Sequence, residues 1–239
     1  ADFIESFYLK EFAVINTSNS DLDYFTIFDG PLLYSQSVLK DESFPFEIKI
    51  LDYHSNVEIE TRLYRGDNTL KGMANNFVLE QKKDEKEYEK NISGIVYQIS
   101  NANEDVDGIY IGFLGQPVTQ TIQVEGIDYS LILRRHRTYL PFQLKLNNFN
   151  KQMHPGTNIA KSYSSDIFLI ENNVQRKILI QMNEPLRHKG YTFYQSSFFE
   201  GEFSDISVFS DFTHFFQNQR NLIIIKNRRI YQKSQNLTI

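Results

Sequence analysis

Apolar and polar residues alternate with period two along much of this chain, which is the pattern of half-buried β-strands. The alternation is cleanest from Phe46 to Ile50, within Phe44-Pro45-Phe46-Glu47-Ile48-Lys49-Ile50-Leu51-Asp52-Tyr53. Pro45 cannot donate to a ladder and so marks the first residue of that strand, or an edge. Strands are likewise predicted over 6–16, 24–28, 94–99, 108–114 and 127–133, with Asp29-Gly30-Pro31 closing the second of them. Residues 166–170 and 174–182 form a hairpin through Glu171-Asn172-Asn173, because Asn tolerates the left-handed conformation.

The best-defined strand follows at once, in Asn183-Glu184-Pro185-Leu186-Arg187-His188-Lys189-Gly190-Tyr191-Thr192-Phe193-Tyr194-Gln195-Ser196-Ser197-Phe198. Pro185 and Gly190 frame a tight connection, with Arg187, His188 and Lys189 as a compact basic turn between them. The strand expected from 191 to 198 opens with Tyr191, Phe193 and Tyr194, more aromatic surface than an exposed strand requires. Three strands in meander order thus end on this motif.

Leu140-Pro141-Phe142-Gln143-Leu144-Lys145-Leu146-Asn147-Asn148-Phe149 repeats the design of residues 44–53 at a separation of about 96 residues. Read as a duplication, the echo divides a β domain over 1–205 into units 1–115 and 116–205. Read as recurrence of proline-led strands, it leaves one unit. Residues 81–90 mix charges without an apolar face and are expected to be a solvated loop or short exposed helix, and 153–157 to be a turn. Gly108, Gly112 and Gly115 have helix-dimer spacing but lie in a short β-like context. Beyond Phe203 the pattern decays, and 206–239 reads as a tail with Lys226, Arg228, Arg229 and Lys233 near its end, a solvated terminus or a contact for an anionic membrane surface.

Composition sharpens the β reading. The chain has 239 residues, with 20 Phe, 14 Tyr and no Trp, residue types that favour strands. The fold expected is mainly β: an antiparallel β-sandwich or barrel-like domain with few short helices. A formal net charge of -5 argues against nucleic acid as a partner. The absence of cysteine removes disulfides, thiolate nucleophiles and thiolate-bound zinc. No apolar run is long enough to cross a bilayer as a helix, none reads as a signal peptide, and the chain starts at Ala1, as a processed product, an excised domain or a fragment would.

Candidate chemistry is thin. His54, His136, His154, His188 and His214 show neither an i, i+4 pair nor a His-x-Glu pattern, so metal binding would require distant residues to converge. There is no Gly-x-Ser-x-Gly elbow and no phosphate-binding glycine loop, and no pair of carboxylates stands out as catalytic. His154 beside Met153, His188 between Arg187 and Lys189, and Met182 invite comparison with haem ligands. Each also has a plain structural reading, as a turn residue or a packed strand end. No catalytic residue, resident metal or firmly held cofactor is expected.

Three spaced blocks nevertheless resemble the ResB-like family of cytochrome c biogenesis proteins: 140–146, then His154-Pro155-Gly156-Thr157 through Asp166, then Met182 through Phe198. Residues 44–50 fit the upstream part of the same pattern more loosely, and the tail departs from it. The resemblance implies the extracytoplasmic, periplasmic-side domain of an integral membrane subunit of the type II cytochrome c maturation machinery. It implies a ResC/CcsA-like haem-handling partner, apocytochrome c as client, and membrane helices outside this chain. Haem would be handled by the complex, with its histidine ligands in those helices and in the partner. This domain is then a docking scaffold or chaperone, with Asn183, Pro185, Leu186, Arg187, His188, Lys189, Gly190, Tyr191, Phe193, Tyr194 and Gln195 as docking candidates and His154 and His188 as candidate haem contacts. The alternative is an extracellular β-sandwich module whose aromatics bind carbohydrate or another flat ligand.

Overall fold

Strand periodicity carries through to the architecture. A computed structural model describes residues 3–18, 24–63, 66–157, 160–181, 183–194, 210–212 and 223–225. In chain order the strands are β1 (Phe3–Asn16), β2 (Tyr24–Asp29), β3 (Val38–Leu39), β4 (Glu47–His54), β5 (Val57–Thr61), β6 (Phe77–Gln81), β7 (Gly94–Ser100), β8 (Gly108–Phe113), β9 (Gln120–Val124) and β10 (Ile127–Tyr139). They continue with β11 (Gln143–Met153), β12 (Ala160–Glu171), β13 (Val174–Gln181), β14 (Leu186–His188), β15 (Tyr191–Phe193), β16 (Ser210–Phe212) and β17 (Ile223–Ile225). Helical structure among the described residues is confined to 3-10 turns at Gly30–Leu32, Gly72–Asn75 and Tyr88–Lys90. The expectation of a mainly antiparallel β fold with few short helices is borne out.

Packing separates two compact units, one of residues 7–136 and the other of residues 1–6 with 137–230. The units do not follow the 115/116 line, because β9 and β10 complete a sheet with β1 and β2, in the order β2-β1-β10-β9. Within the 7–136 unit, a second sheet has the order β3-β4-β7-β8. One apolar cluster draws Phe12, Val14, Ile122 and Leu131 from the first sheet and Ile48, Ile50, Tyr97 and Ile99 from the second. A shared core of this kind makes a β-sandwich. Aromatic edges tie its halves together, Phe12 against Tyr97 at 5.1 Å and Phe46 against Tyr129 at 5.2 Å. The β5–β6 hairpin packs with Ile111 and Phe113 in a smaller cluster.

In the other unit β11, β12 and β13 form an antiparallel meander. Asn172 and Asn173 both take positive φ, 49° and 62°, as a two-residue hairpin turn requires. Phe142, Leu144, Ile167, Leu169 and Ile180 line its inner face, and Leu186 and Phe193 from the β14–β15 hairpin complete that core.

The two proline-led stretches lead into the starts of β4 and β11, each strand beginning two residues after its proline. Phe46 and Phe142 are both buried. The ladders also break at matching places: β4 skips Leu51 between Ile50 and Asp52, and β11 skips Asn147 between Leu146 and Asn148. A bulge at the same step of the repeated pattern re-aims both strands in the same way.

Several expectations require correction. The strand expected over 6–16 starts at Phe3, and that over 127–133 runs on to Tyr139, because Glu11 bonds Arg134 across the sheet at 2.7 Å. In the other unit Glu5 does the same for Arg137 at 3.0 Å. Arg187 and His188 belong to β14 rather than to a turn, since Lys189-Gly190 alone reverses the chain. The strand expected over 191–198 is described as far as Phe193, and residues 195–198, like Met182, lie outside the described residues. In the tail, 210–212 and 223–225 pair antiparallel.

Candidate docking site

The β14–β15 hairpin owes its orientation to its two faces. Leu186 pairs with Phe193 and His188 with Tyr191, so these four share one face, while Arg187 and Thr192 share the other. On the inner face the Phe142 ring meets three rings edge-on: His188 at 4.7 Å, Phe193 at 5.9 Å and Tyr191 at 6.0 Å. Phe193 is fully buried. Burial of a phenylalanine contributes about 1.5–3 kcal/mol, so this hairpin is anchored by its own aromatics.

Charge fixes the rim. Glu171, the last residue of β12, receives Lys189 Nζ on Oε1, and Nε2 of His188 lies 3.1 Å from its Oε2. The hydrogen bond from Lys189 holds the Glu171 carboxyl below the usual carboxylate range, with His188 adding to it and desolvation opposing it. An ionised carboxylate only accepts, so His188 donates from Nε2. That nitrogen is therefore engaged by Glu171.

The structure sorts the candidate residues. Leu186 and Phe193 are buried anchors, and Tyr191 and Tyr194 pack against the same core. Gly190, at φ 80°, makes the turn, and Lys189 precedes it at φ 47°. Asn183, at φ 66°, sits in the turn after β13, where Gln181 and Glu184 bond each other through backbone and side chain; Pro185 follows, half-buried. Arg187 is exposed, and among the described residues no ion pair holds its guanidinium. Gln195 lies outside the described residues. His154 is not part of this group: it sits exposed in the turn between β11 and β12, where Met153 to Thr157 border a concavity of about 510 Å³.

Sequence reasoning missed Glu171 as a member of the site, having assigned it only to a hairpin corner. The local sequence holds no sign of it, since its role depends on where β12 stops relative to β14. For the carbohydrate alternative, an aromatic-lined cavity exists between Tyr24 and Tyr129, with Val14, Thr26, Ser43 and Phe44, in the 7–136 unit. Its volume of about 180 Å³ is below the roughly 300–1,000 Å³ of ordinary ligand clefts.

Fold and site together define an antiparallel β domain that presents charged side chains from a buried aromatic anchor. The model of the ResB-like family matches residues 113–235, more than half of the chain. The chain belongs to the ResB-like family. The match takes in both the β14–β15 hairpin and most of the stretch that composition had set apart as a tail. It is also similar to the "Cytochrome c biogenesis protein CcsB" of Microcystis aeruginosa, with 34% identity over 95 residues. That alignment covers 38% of this chain and 21% of the relative, so the chain spans about a fifth of the length of that protein. Among the described residues, no helix is long and apolar enough to cross a membrane.

Proposed function

We propose that this chain is the extracytoplasmic domain of a membrane subunit serving cytochrome c biogenesis, and that it works as a docking scaffold. The membership of the ResB-like family carries this reading. In it, a ResC/CcsA-like partner handles haem, and this domain helps to position that partner and apocytochrome c for covalent haem attachment. One feature supports a scaffold over a catalyst: the chain has no cysteine with which to hold or reduce apocytochrome thiols.

The β14–β15 hairpin supplies the docking groups. Its inner face is locked by aromatic packing and its rim by Glu171, so Arg187 and Thr192 project from a support that need not reorganise when a partner arrives. Arginine is suited to this role because its planar guanidinium forms paired hydrogen bonds with carboxylates.

The test is deletion of this domain from the intact protein, with c-type cytochromes followed by haem staining. Loss of covalent haem, with the remaining membrane portion still present, is the expected result. Unchanged haem attachment would rule the function out.

A further inference from the structure

The 7–136 unit brings three ligand-type side chains together from sequence positions far apart. Glu11 of β1 and Asp29 at the end of β2 are direct cross-strand partners, and β10 flanks β1 on its other side with His136. Nδ1 of His136 lies 3.1 Å from Oε2 of Glu11 and 3.1 Å from Oδ1 of Asp29. All three donor atoms fall within 4.8 Å of one another.

We propose that Glu11, Asp29 and His136 form a binding site for a first-row divalent cation of the zinc type, with Arg134 as the residue that positions Glu11. The proposal is independent of the docking role of the β14–β15 hairpin. Spacing is the first support. Neighbouring ligands held at about 2.0–2.2 Å from one ion, at angles between a right angle and the tetrahedral value, lie roughly 3.0–3.5 Å apart. Both measured separations from Nδ1 fall in that interval. A lone imidazole explains them less well, because Nδ1 carries at most one proton and two carboxylate oxygens converge on it.

The surroundings have the form of a cation site. The Glu11 side chain is 2% exposed, His136 30% and Asp29 60%, so the site has a buried wall and an open mouth. Arg134 donates from Nε to the other Glu11 oxygen at 2.7 Å, which aims Oε2 at the cluster, as outer hydrogen bonds orient ligating carboxylates. With a neutral imidazole, the two carboxylates and one guanidinium leave a net charge of about -1 to meet a cation. An imidazole among the ligands selects zinc-like ions over calcium or magnesium, which take oxygen.

The purified chain, stripped with a chelator, is to be titrated with Zn²⁺ by calorimetry and with Co²⁺ by visible absorption. One equivalent of saturable binding is expected, with a Co²⁺ ligand-field spectrum. Asp29→Asn should weaken binding by about tenfold or more, comparable with disturbing a metal site's ligand set. His136→Gln should abolish the Co²⁺ spectrum, and His154→Asn should leave binding unchanged. Asp29 is exposed and makes no helix-capping bond, so the Asp29→Asn variant tests the site even if His136→Gln does not fold. Absence of saturable binding by the unaltered chain, or equal binding by it and Asp29→Asn, would overturn the proposal.

Discussion

His188 and Glu171, seventeen residues apart, meet at 3.1 Å and tie the end of β12 to the β14–β15 hairpin. With Lys189 on the other carboxylate oxygen, Glu171 makes the hairpin's rim as definite as its aromatic core. The outward direction of Arg187 follows from both.

The first prediction concerns acid. The folded-state pKa of Glu171 is lowered, so its contribution to stability is complete above its ordinary value of 4.5 and is lost as pH falls through the depressed one. Glu171→Gln removes that contribution. The difference in melting temperature between the two proteins should therefore be larger above the ordinary carboxylate range and shrink as pH falls below it. A difference that stays the same into strong acid would show that the Glu171 charge does not stabilise the hairpin.

Phe193 tests the aromatic anchor. It is fully buried against Phe142 and Leu186, so Phe193→Ala should cost about 3–5 kcal/mol, the usual range for truncating a buried phenylalanine. Urea denaturation of the purified domain measures this. A loss of only a few tenths would mean that the hairpin is not held by its core.

Gly190 tests the turn. Its φ of 80° lies in the left-handed region, where a branched side chain is strained. A Cβ placed on Gly190 would meet nothing within 4 Å, so backbone strain is the main penalty expected of Gly190→Val, roughly 1–2 kcal/mol. Gly190→Asn should cost much less. Equal stability of the two variants would contradict the assigned turn.

Lys10 gives an alkaline signature in the other unit. Its ammonium donates to the carbonyls of Phe7 at 2.7 Å and Tyr8 at 3.3 Å, while burial, assisted by Arg135, lowers its pKa to about 8. Between pH 8 and the ordinary value of 10.5, the unfolded chain keeps a proton that the folded chain has released. Stability therefore rises with pH across that window. Tyr110, pushed up to about 12 by burial, acts in the opposite sense above its ordinary value of 10, but it is common to both proteins being compared. The unaltered protein should gain stability relative to Lys10→Met from pH 8 to 10. Parallel curves would contradict this.

Local rules reached far into the fold where the chain reverses sharply. Asn172-Asn173 and Gly190 were readable as turns because positive φ demands those residue types. Residues 134–139 were not readable as strand. Arg134 and Arg137 interrupt the alternation there, and the carboxylates that neutralise them, Glu11 and Glu5, lie 123 and 132 residues upstream. The β5–β6 pair escaped for a related reason: fifteen residues, 62–76, separate its strands, so no short turn announces the pairing. The β14–β15 hairpin was visible in its aromatics, whereas Glu171 was not, because its partners are set by strand ends rather than by neighbours in sequence.

The central claim, that the outward face of this hairpin docks a partner during cytochrome c biogenesis, is tested most directly through Arg187. In cells carrying the intact protein with Arg187→Glu, covalent haem per c-type cytochrome should fall at least severalfold while the variant protein accumulates normally, since reversing a contact charge adds repulsion to the lost hydrogen bonds. Full haem attachment in that variant would contradict the account.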